Sequence, residues 1–415
     1  MKTFLDFLEL HLNFVFFGQI GLLTRLGLEL LCQHQGPFTG VLFSNFFGCQ
    51  FMGFVVNYRL LREPDKDDSE KLAKIPKKVD TPLHNAFTTG YAGSVTTFSS
   101  FILETFTYAS NITSNQKMPY PDSGWGIPMA MAYIVVTAGV SFTGFYFGKH
   151  LAYIAQDGLS AATFFPPAPE ITDQNQIIVP STNPYLRKRH SKPFFPGLTV
   201  SQLLIVQHTF SIMGALFLAA TFSLAIATTT VPEHVFHSSR LSPLWRYYTL
   251  ALIFSPIAVT LRYWLIRLLN PLFFLRSDRF FVYNIQCSEI EPHSLSAPAT
   301  IFPVGTFICN IFAVLVLSSL VLVQRGASPS SPIGEKLPIG GVVHGAVRCD
   351  VVRALADGFC GSLSTISTFV NELMGMNVMR AYIYGTISVS VGLASVVLIL
   401  GSYIWTNGMA NACFQ

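Results

Sequence analysis

The residues of this sequence best suited to chemistry lie in two similar stretches rich in glycine and hydroxyl side chains, residues 90–104 and 358–372. Aligned on Gly93 and Gly361, both stretches read Gly-x-x-Gly, a run of hydroxyl residues, an aromatic or aliphatic residue, two more hydroxyls, Phe and, further on, Glu. Glycine and hydroxyl residues are weak helix formers. In apolar surroundings an irregular backbone is tolerated only inside protein or beside a polar cavity. The repeat therefore predicts two broken helices.

The chemistry these stretches suit is recognition of an anion. Asn and hydroxyl groups donate hydrogen bonds to an anion without trapping it by full charge, and the edge of a Phe ring is electropositive. Such a set suits a small, strongly hydrated anion. Its polar members are Asn45, Thr96, Thr97, Ser99, Ser100, Thr137 and Ser141 in one half, and Asn310, Ser364, Thr365, Ser367, Thr368, Thr386 and Ser390 in the other; Phe98, Phe101 and Phe369 are its aromatic members.

Each of these residues also has a purely structural interpretation. Ser and Thr in membrane helices often bond only to the carbonyl four residues earlier, and Phe is first of all packing material. A buried Asn commonly joins two helices, although its recurrence at Asn45 and Asn310 makes a site equally plausible. No nucleophile–base pair, phosphate-binding loop or HExxH motif is present. We therefore expect no enzyme.

Four charged residues in apolar surroundings leave alternatives open. Glu104 and Glu372 are functional candidates because intramembrane carboxylates are costly, but they could instead lie at an interface and bind backbone donors. Arg25 and Arg262 could extend to the membrane surface; the interpretation we favour is that they attract anions at a vestibule.

The elements that position these residues must be membrane helices. The chain of 415 residues is 51% hydrophobic and 12% charged, with a mean hydropathy of +0.47, against about 25% charge in soluble domains. Its net charge of +4 is small, and we expect a lipid bilayer rather than a nucleic acid as its surroundings. The seven cysteines are scattered without CxxC pairs, so we expect neither a metal site nor a disulfide framework.

Nine apolar stretches approach the roughly 20 residues needed to span a membrane. They lie at approximately 10–32, 37–58, 83–109, 125–154, 199–230, 244–269, 300–323, 350–374 and 378–405. Gly144 and Gly148 in the fourth stretch, and Gly214 with Ala215 in the fifth, favour close helix packing. The predicted fold is all-α, in a 4+1+4 arrangement of transmembrane helices with a broken third helix in each set of four.

The fifth helix matches neither set and determines the topology. Four crossings return the chain to its starting side, so one additional crossing inverts the second set. The predicted domains are residues 1–155, a cytoplasmic linker at 156–198, a linker helix at 199–231, and an inverted second domain at 232–415. Lys and Arg are concentrated on one side of this arrangement, which favours a cytoplasmic N-terminus and an external C-terminus. The sequon Asn111-Ile112-Thr113 then lies outside.

The two glycine- and hydroxyl-rich stretches resemble the signature of a known family. Residues 93–101 and 358–369 are similar to the Gly-Phe-Cys-Gly-Gly-x-Thr-Thr-Phe-Ser-Thr-Phe signature of small fluoride channels of the Fluc/CrcB type. Pro303-x-Gly305-Thr306-x-x-x-Asn310 resembles the second helix of that family. Two copies joined by an extra helix resemble its two-domain eukaryotic branch. Family members are antiparallel dimers with two pores, so the resemblance implies that one chain acts alone as the equivalent of a dimer.

The resemblance also implies roles for individual residues. Backbone carbonyls of Gly93, Thr96, Gly361 and Ser364 match positions that hold a central structural sodium ion in the family. The implied pore residues are Asn45, Phe98, Ser99, Ser100, Phe101, Tyr133, Thr137, Ser141, Asn310, Ser367, Thr368, Phe369, Tyr382, Thr386 and Ser390.

One departure from the family pattern is informative. Each pore takes one Phe from each half, and Ile366 replaces the first Phe of the second copy. Phe98 with Phe369 makes one complete aromatic pair, whereas Phe101 with Ile366 leaves the other incomplete because an aliphatic group lacks the electropositive edge. We expect a passive fluoride channel of the cell membrane with one working pore. The alternatives are a proton-coupled antiporter that uses Glu104 or Glu372, and a membrane scaffold without transport activity.

Overall fold

The computed structural model describes residues 2–32, 40–58, 82–111, 122, 124–157, 200–230, 242–277, 302–326 and 346–408. No strand occurs within these ranges, and the fold is all-α. Residues 158–198 of the predicted linker, the loop at 59–81 and most of the Asn111 sequon lie outside the described residues, whereas residues 156 and 157 still belong to a helix.

Eleven helices occupy the described ranges. They are α1 (Lys2–Leu31), α2 (Gly40–Asn57), α3 (Pro82–Asn85, Ala86–Ala92 and Gly93–Val95 in succession), α4 (Phe98–Ser110), α5 (Gly126–Asp157), α6 (Val200–Thr230), α7 (Ser242–Ser277), α8 (Val304–Arg325), α9 (Ala346–Ala354, Leu355–Cys360 and Gly361–Leu363), α10 (Ile366–Met374) and α11 (Val378–Val396, Val397–Gly401 and Ser402–Asn407).

Seven of these helices, α1, α2, α5, α6, α7, α8 and α11, are long and apolar enough to cross a membrane. Many of their large apolar side chains point outward, including Leu216, Ile226 and Leu398. An outward apolar surface on an all-helical protein is the arrangement that lipid requires. The protein is therefore a multi-pass α-helical membrane protein.

The predicted breaks are present in both copies of the repeat. Between α3 and α4, Thr96 and Thr97 have extended backbones, with ψ of 148° and 119°. Between α9 and α10, Ser364 and Thr365 have the same conformation, with ψ of 152° and 131°. The hydroxyls of Thr97 and Thr365 each accept a hydrogen bond from the backbone N–H three residues later, which caps the restarting helix.

A π-helical stretch precedes each break, which the sequence did not predict. These stretches are Ala86–Ala92 and Leu355–Cys360, and they hold the first glycine of each copy, Gly90 and Gly358. Wider helical turns of this kind occur mostly as short insertions at functional sites. The two copies therefore share an irregular backbone before the break as well as at it.

Glycines allow α2 and α5 to pack backbone to backbone. A Cβ at Gly144 would lie 2.5 Å from the carbonyl oxygen of Phe46, and one at Gly148 would overlap the carbonyl of Gln50. The packing role predicted for these two glycines is confirmed, and Gly53 of α2 plays the same part against α5. Small residues permit such contact between membrane helices.

The unmatched helix α6 is fixed to α1. A Cβ at Gly214 would overlap the carbonyl of Leu12, and the Asn13 side chain donates a hydrogen bond of 2.9 Å to the Ser211 hydroxyl. A buried side-chain hydrogen bond between membrane helices contributes about 0.6 kcal/mol on average. The close packing predicted for this helix is therefore confirmed at Gly214.

The cysteines follow the expectation only in part. Cys49, Cys309 and Cys360 are buried free thiols, whereas Cys349 is disulfide-bonded. The sequence predicted no disulfide framework, and it did not predict the disulfide at this position. Spacing alone did not reveal it, because a disulfide depends on Cα separations across the fold.

Candidate functional site

The two broken helices meet at the centre of the molecule and exchange hydrogen bonds. The hydroxyl oxygens of Thr96 and Thr365 lie 3.1 Å apart, and those of Thr97 and Ser364 lie 3.2 Å apart. Ser364 also accepts a hydrogen bond of 3.0 Å from the Ser99 backbone N–H. All of these side chains are fully buried. The hydroxyl repeats found in the sequence are therefore each other's partners across the crossing.

The reciprocal bonds make the crossing nearly symmetric. The Ser367 backbone N–H donates to the Thr96 hydroxyl at 3.1 Å, which mirrors the bond from Ser99 to Ser364. Ser100 and Thr368 are half-buried at the caps, 3.1 Å from Thr97 and 3.4 Å from Thr365 respectively. Four of the predicted pore hydroxyls (Ser99, Ser100, Ser367 and Thr368) therefore lie at or beside the crossing.

Asn45 and Asn310 hold the extended residues at the two breaks. The side-chain oxygen of Asn45 accepts from the Thr97 N–H at 2.9 Å, and its amide donates to the Thr97 carbonyl at 3.4 Å. Asn310 makes the same two bonds to Thr365, at 2.8 and 3.3 Å. Each buried amide replaces the hydrogen bonds that the broken helix cannot supply. Both asparagines therefore join two helices, as the structural interpretation predicted. Their pore role stays a prediction.

Arg25 and Arg262 lie at the crossing, not at the membrane surface. Their side chains are 1% and 0% exposed. Arg262 donates to the carbonyls of Gly93 at 3.0 Å and Ser362 at 2.5 Å, and also to that of Thr89. Arg25 donates to the Asp357 carbonyl, which is the position equivalent to Thr89. Both earlier interpretations, a surface side chain and a vestibule cation, are corrected.

These arginines bear directly on the predicted sodium site. Of the four carbonyls expected to hold sodium, those of Gly93 and Ser364 accept from Arg262, at 3.0 and 3.4 Å. A sodium ion bound there would lie beside a buried guanidinium, and like charges repel strongly in a medium of low dielectric constant. The arrangement of Arg262 therefore does not fit a sodium ion at the same oxygens.

A continuous row of aromatic rings begins at Phe98, directly after the first break. The rings of Phe98 and Phe369 meet edge to face, with centroids 5.6 Å apart and an interplanar angle of 65°. The Phe369 ring lies 5.0 Å from Tyr384, which in turn lies 4.9 Å from Phe302. All but Phe302 are buried in one core cluster. The aromatic pair predicted between the two halves is present.

Polar groups continue this row. Glu372 accepts hydrogen bonds from the Thr306 hydroxyl at 2.6 Å and from the Tyr384 hydroxyl at 3.1 Å. One helical turn beyond Tyr384, the Ser388 hydroxyl is buried and has no hydrogen-bond partner within the described residues. Since buried polar atoms are normally paired, this hydroxyl is a donor available to a ligand. The row thus combines ring edges, a carboxylate and a free donor.

A second, interrupted row begins at Phe101, whose ring also meets Phe98 edge to face with centroids 5.9 Å apart. Phe101 lies 6.0 Å from Tyr133, whose hydroxyl donates to Glu104. The Thr137 hydroxyl, one turn beyond Tyr133, is buried without a partner in the described part of the chain, as Ser388 is. Ile366 is buried in the same cluster, where the first row has Phe98. The row therefore lacks one aromatic ring.

The predicted fourth-helix track is buried in the first copy, where its pore role stays a prediction, but is exposed in the second. Tyr133, Thr137 and Ser141 are all buried. In contrast, Tyr382 is 73% exposed, and Thr386 and Ser390 are also exposed on the outer face of α11. These three assignments are corrected: the residues that face the aromatic row are Tyr384 and Ser388.

Sequence reasoning missed four residues of the first row: Phe302, Thr306, Tyr384 and Ser388. Tyr384 and Ser388 have the same four-residue spacing as Tyr133 and Thr137, so the signal for them was present. Thr306 was noted only as part of a motif. No local signal in the sequence connects Phe302 with Tyr384, because the two lie in different helices.

The fold and the site define a class: an all-α membrane protein in which two copies of a broken-helix motif cross. The chain belongs to the CrcB-like (Camphor Resistance, CrcB) family, whose model matches residues 12–149 and again 249–401, together more than half of the chain. This confirms the family resemblance found in the sequence. The two matches contain the two breaks, and the helix α6 lies between them.

Individual relatives agree with this assignment. Fluoride export protein 1 of Candida albicans is 30% identical over 404 residues, which cover 96% of this chain and 80% of that protein. Fluoride export protein 1 of Saccharomyces cerevisiae is 27% identical over 98% of this chain and 96% of its own length. The fluoride-specific ion channel FluC of Ignicoccus hospitalis is 34% identical over 101 residues, 23% of this chain and 68% of that protein. No solved structure matches significantly.

Proposed function

We propose that this protein is a passive channel through which fluoride leaves the cytoplasm, and that fluoride passes along the row containing Phe98 and Phe369. The names of its relatives, fluoride export proteins and a fluoride-specific channel, support the choice of ion. The observation that carries the pathway is the edge-to-face pair at 5.6 Å, because it joins one ring from each half. The electropositive ring edges replace part of the water that fluoride must lose.

Donors along the row support the same pathway. The buried Ser388 hydroxyl can bind the anion as it passes, and none of the residues that the structure describes in this row is an arginine or lysine that would hold it. The membrane potential, negative inside, drives an anion outward by about 2.3 kcal/mol per charge per 100 mV. A channel therefore needs no energy source within the chain.

Conduction through one pathway only is part of the proposal. The second row has Ile366 where the first has Phe98, so Phe101 has no ring from the second half to pair with at that position, and its described contact is with Phe98 of its own half. We expect Phe98→Ile and Phe369→Ile to abolish most fluoride efflux, and Phe101→Ile to leave most of it.

The test uses purified full-length protein in liposomes, with efflux measured by a fluoride electrode under a potassium diffusion potential. Equal thermal stability of the three variants in detergent shows that loss of efflux is not loss of folding. Equal loss of efflux in all three variants would contradict a single pathway.

A proton-coupled antiporter is the second candidate, and the two glutamates favour it. Glu104 and Glu372 each accept a hydrogen bond from a tyrosine beside an aromatic row. Intramembrane carboxylates of this kind carry protons in transporters. Uphill fluoride movement driven by a pH gradient at zero potential, and its loss in Glu372→Gln, would favour the antiporter. Downhill flux that follows the potential favours the channel.

We further propose that the chain crosses the cell membrane nine times as one functional unit, with the N-terminus inside. Seven crossings are the long apolar helices, and the other two are the broken segments α3–α4 and α9–α10. The disulfide at Cys349 supports this orientation, because residue 349 is then external and disulfides form in oxidising compartments. Epitope tags at the two termini of the full-length protein should be accessible from opposite sides of intact cells.

A further inference from the structure

The guanidinium of Arg262 lies within a set of backbone carbonyls supplied by both copies of the repeat. From the first copy it binds Gly93 at 3.0 Å and also Thr89; from the second it binds Ser362 at 2.5 Å and Ser364 at 3.4 Å. The side chain is fully buried. One positive group thus connects the two halves at the centre of the protein.

The helix break is the reason that the Gly93 carbonyl needs a donor. In an unbroken helix this carbonyl would accept from the Thr97 N–H, four residues later. That N–H instead donates to the Asn45 side chain at 2.9 Å. The carbonyl therefore loses its helical partner, and Arg262 replaces it. Carbonyls freed in this way attract a cation, whether an ion or a guanidinium.

A related but weaker arrangement occurs at the second break, where the described hydrogen bond of Arg25 goes to the Asp357 carbonyl. The Thr365 N–H donates to Asn310 at 2.8 Å, which frees the carbonyl of Gly361 from its helical bond. A Cβ at Gly361 would overlap the guanidinium of Arg25, so this arginine lies directly over that residue. Each domain therefore sends one arginine to the break of the other domain.

Charge considerations argue against an additional cation. Arg25 has Glu29 at 3.9 Å, whereas none of the ion pairs among the described residues involves Arg262. A metal ion that shared the Gly93 and Ser364 oxygens with Arg262 would add a further buried positive charge without a further negative one.

We propose that Arg262, with Arg25 at the opposite break, is the resident cation of the crossing, so that neither folding nor transport requires sodium. The part concerning transport rests on the proposed fluoride channel; the part concerning stability does not.

The experiment compares the full-length protein in sodium chloride with the same protein in N-methyl-D-glucamine chloride. We expect equal melting temperatures in detergent and equal fluoride efflux from liposomes in the two salts. A required sodium ion would instead raise the melting temperature with sodium concentration, because a ligand that binds only the folded state stabilises it. A sodium-dependent rise in melting temperature, or loss of efflux in sodium-free buffer, would overturn the proposal.

Variants of Arg262 distinguish a role of its positive charge from a role in packing alone. Arg262→Gln should melt at a lower temperature in sodium-free buffer and regain part of the loss as sodium is added, because the freed carbonyls then accept the ion. Arg262→Lys keeps a positive charge and should stay insensitive to sodium, and it tests the proposal if Arg262→Gln does not fold. Arg267→Gln, an exposed position on the same helix, is the matched control. Sodium sensitivity of the Lys variant equal to that of the Gln variant would contradict the proposal.

Failure of the proposed channel function can be distinguished from failure of the proposal about Arg262. If no variant and neither salt gave fluoride efflux, the channel assignment would fail, while the melting temperatures would still decide the role of Arg262.

Discussion

At the scale of single residues, the central feature is that each break is held by one amide and one guanidinium. Asn45 and Asn310 bind both the N–H and the carbonyl of the extended residue. Arg262 donates to the Gly93 carbonyl released at the first break. Arg25 lies over Gly361 at the second break and donates to the Asp357 carbonyl. Backbone groups left unpaired in a membrane cost several kcal/mol each. A broken helix therefore requires these side chains before it can carry any ion.

The asparagines provide a direct prediction. In Asn310→Leu, the N–H and the carbonyl of Thr365 both lose their partner, and each unsatisfied buried group costs about 1–3 kcal/mol. Asn310→Asp keeps an acceptor for the N–H but places a second oxygen against the carbonyl, so we expect an intermediate loss. Melting temperature in detergent measures both.

The control for this series is Asn407→Leu at the end of α11, where the described bonds of the amide go to Tyr403 and Thr406 within the same helix. It should change stability little. If Asn310→Leu were as stable as the control, the amide would not be holding the break.

The glycines beneath the arginines provide a second prediction. In Gly93→Ala the added Cβ would overlap the Arg262 guanidinium, and forcing a group into a packed site costs about 1–3 kcal/mol. Gly361→Ala should act similarly through Arg25. Gly139 has no atom within 4 Å of its Cβ position, so Gly139→Ala should instead stabilise α5 by roughly 0.5–1 kcal/mol.

Denaturation of the three variants in the same detergent distinguishes these effects. A destabilisation common to all three glycines would indicate a general response of the helices rather than contact with the arginines.

The fourth-helix track shows why the site could be predicted only in part. Tyr382, Thr386 and Ser390 have the same four-residue spacing as Tyr384 and Ser388 on one helix. Spacing selects a helix face but not which of two parallel rows faces inward. The choice is made by the contact of Tyr384 with Glu372, 3.1 Å apart in different helices.

At the scale of elements, the features that could be predicted from the sequence are those set by residues within the same segment. The breaks followed from glycine and hydroxyl content, and the close packing of α2 with α5 followed from Gly144 and Gly148. The π-helical stretches at Ala86–Ala92 and Leu355–Cys360 did not follow, because propensity does not distinguish helix types. The positions of the Arg25 and Arg262 side chains could not be predicted either, because their contacts are with segments distant in the sequence.

The prediction for this scale concerns the packing of helix α6. Its contact with α1 at Gly214 leaves no room for a side chain, so Gly214→Leu should separate the two helices locally. We expect a loss of about 1–3 kcal/mol, measured as melting temperature. Ile212→Leu, at a position 63% exposed on the same helix, is the control and should be neutral. Equal stability of both variants would mean that α6 needs no close contact with α1.

At the scale of the whole molecule, two similar halves have become unequal where they meet. Ser255, seven residues before Arg262, bonds to the Ser362 hydroxyl at 2.9 Å. The equivalent position in the first half, seven residues before Arg25, is Gly18, which has no hydroxyl to bond with Ser94. The Ser94 hydroxyl accordingly has no partner in the described residues. Ile366 opposite Phe98 is a further difference of this kind. Two copies in one chain can change separately, since each contact at the crossing involves two different positions.

This inequality makes the final prediction possible. If Ile366 is what interrupts the second row, Ile366→Phe should complete it, because Glu104, Tyr133 and the Thr137 hydroxyl, which has no partner among the described residues, already continue that row. In the inactive Phe369→Ile background, the added ring should restore part of the fluoride efflux. An aromatic pair contributes about 0.5–1.5 kcal/mol, or roughly a twofold to tenfold change in rate. Ile366→Leu in the same background adds no ring and is the matched control. Recovery with Phe but not with Leu would locate the difference between the rows at one side chain, whereas no recovery in a stable Phe variant would show that the second row is interrupted at further positions.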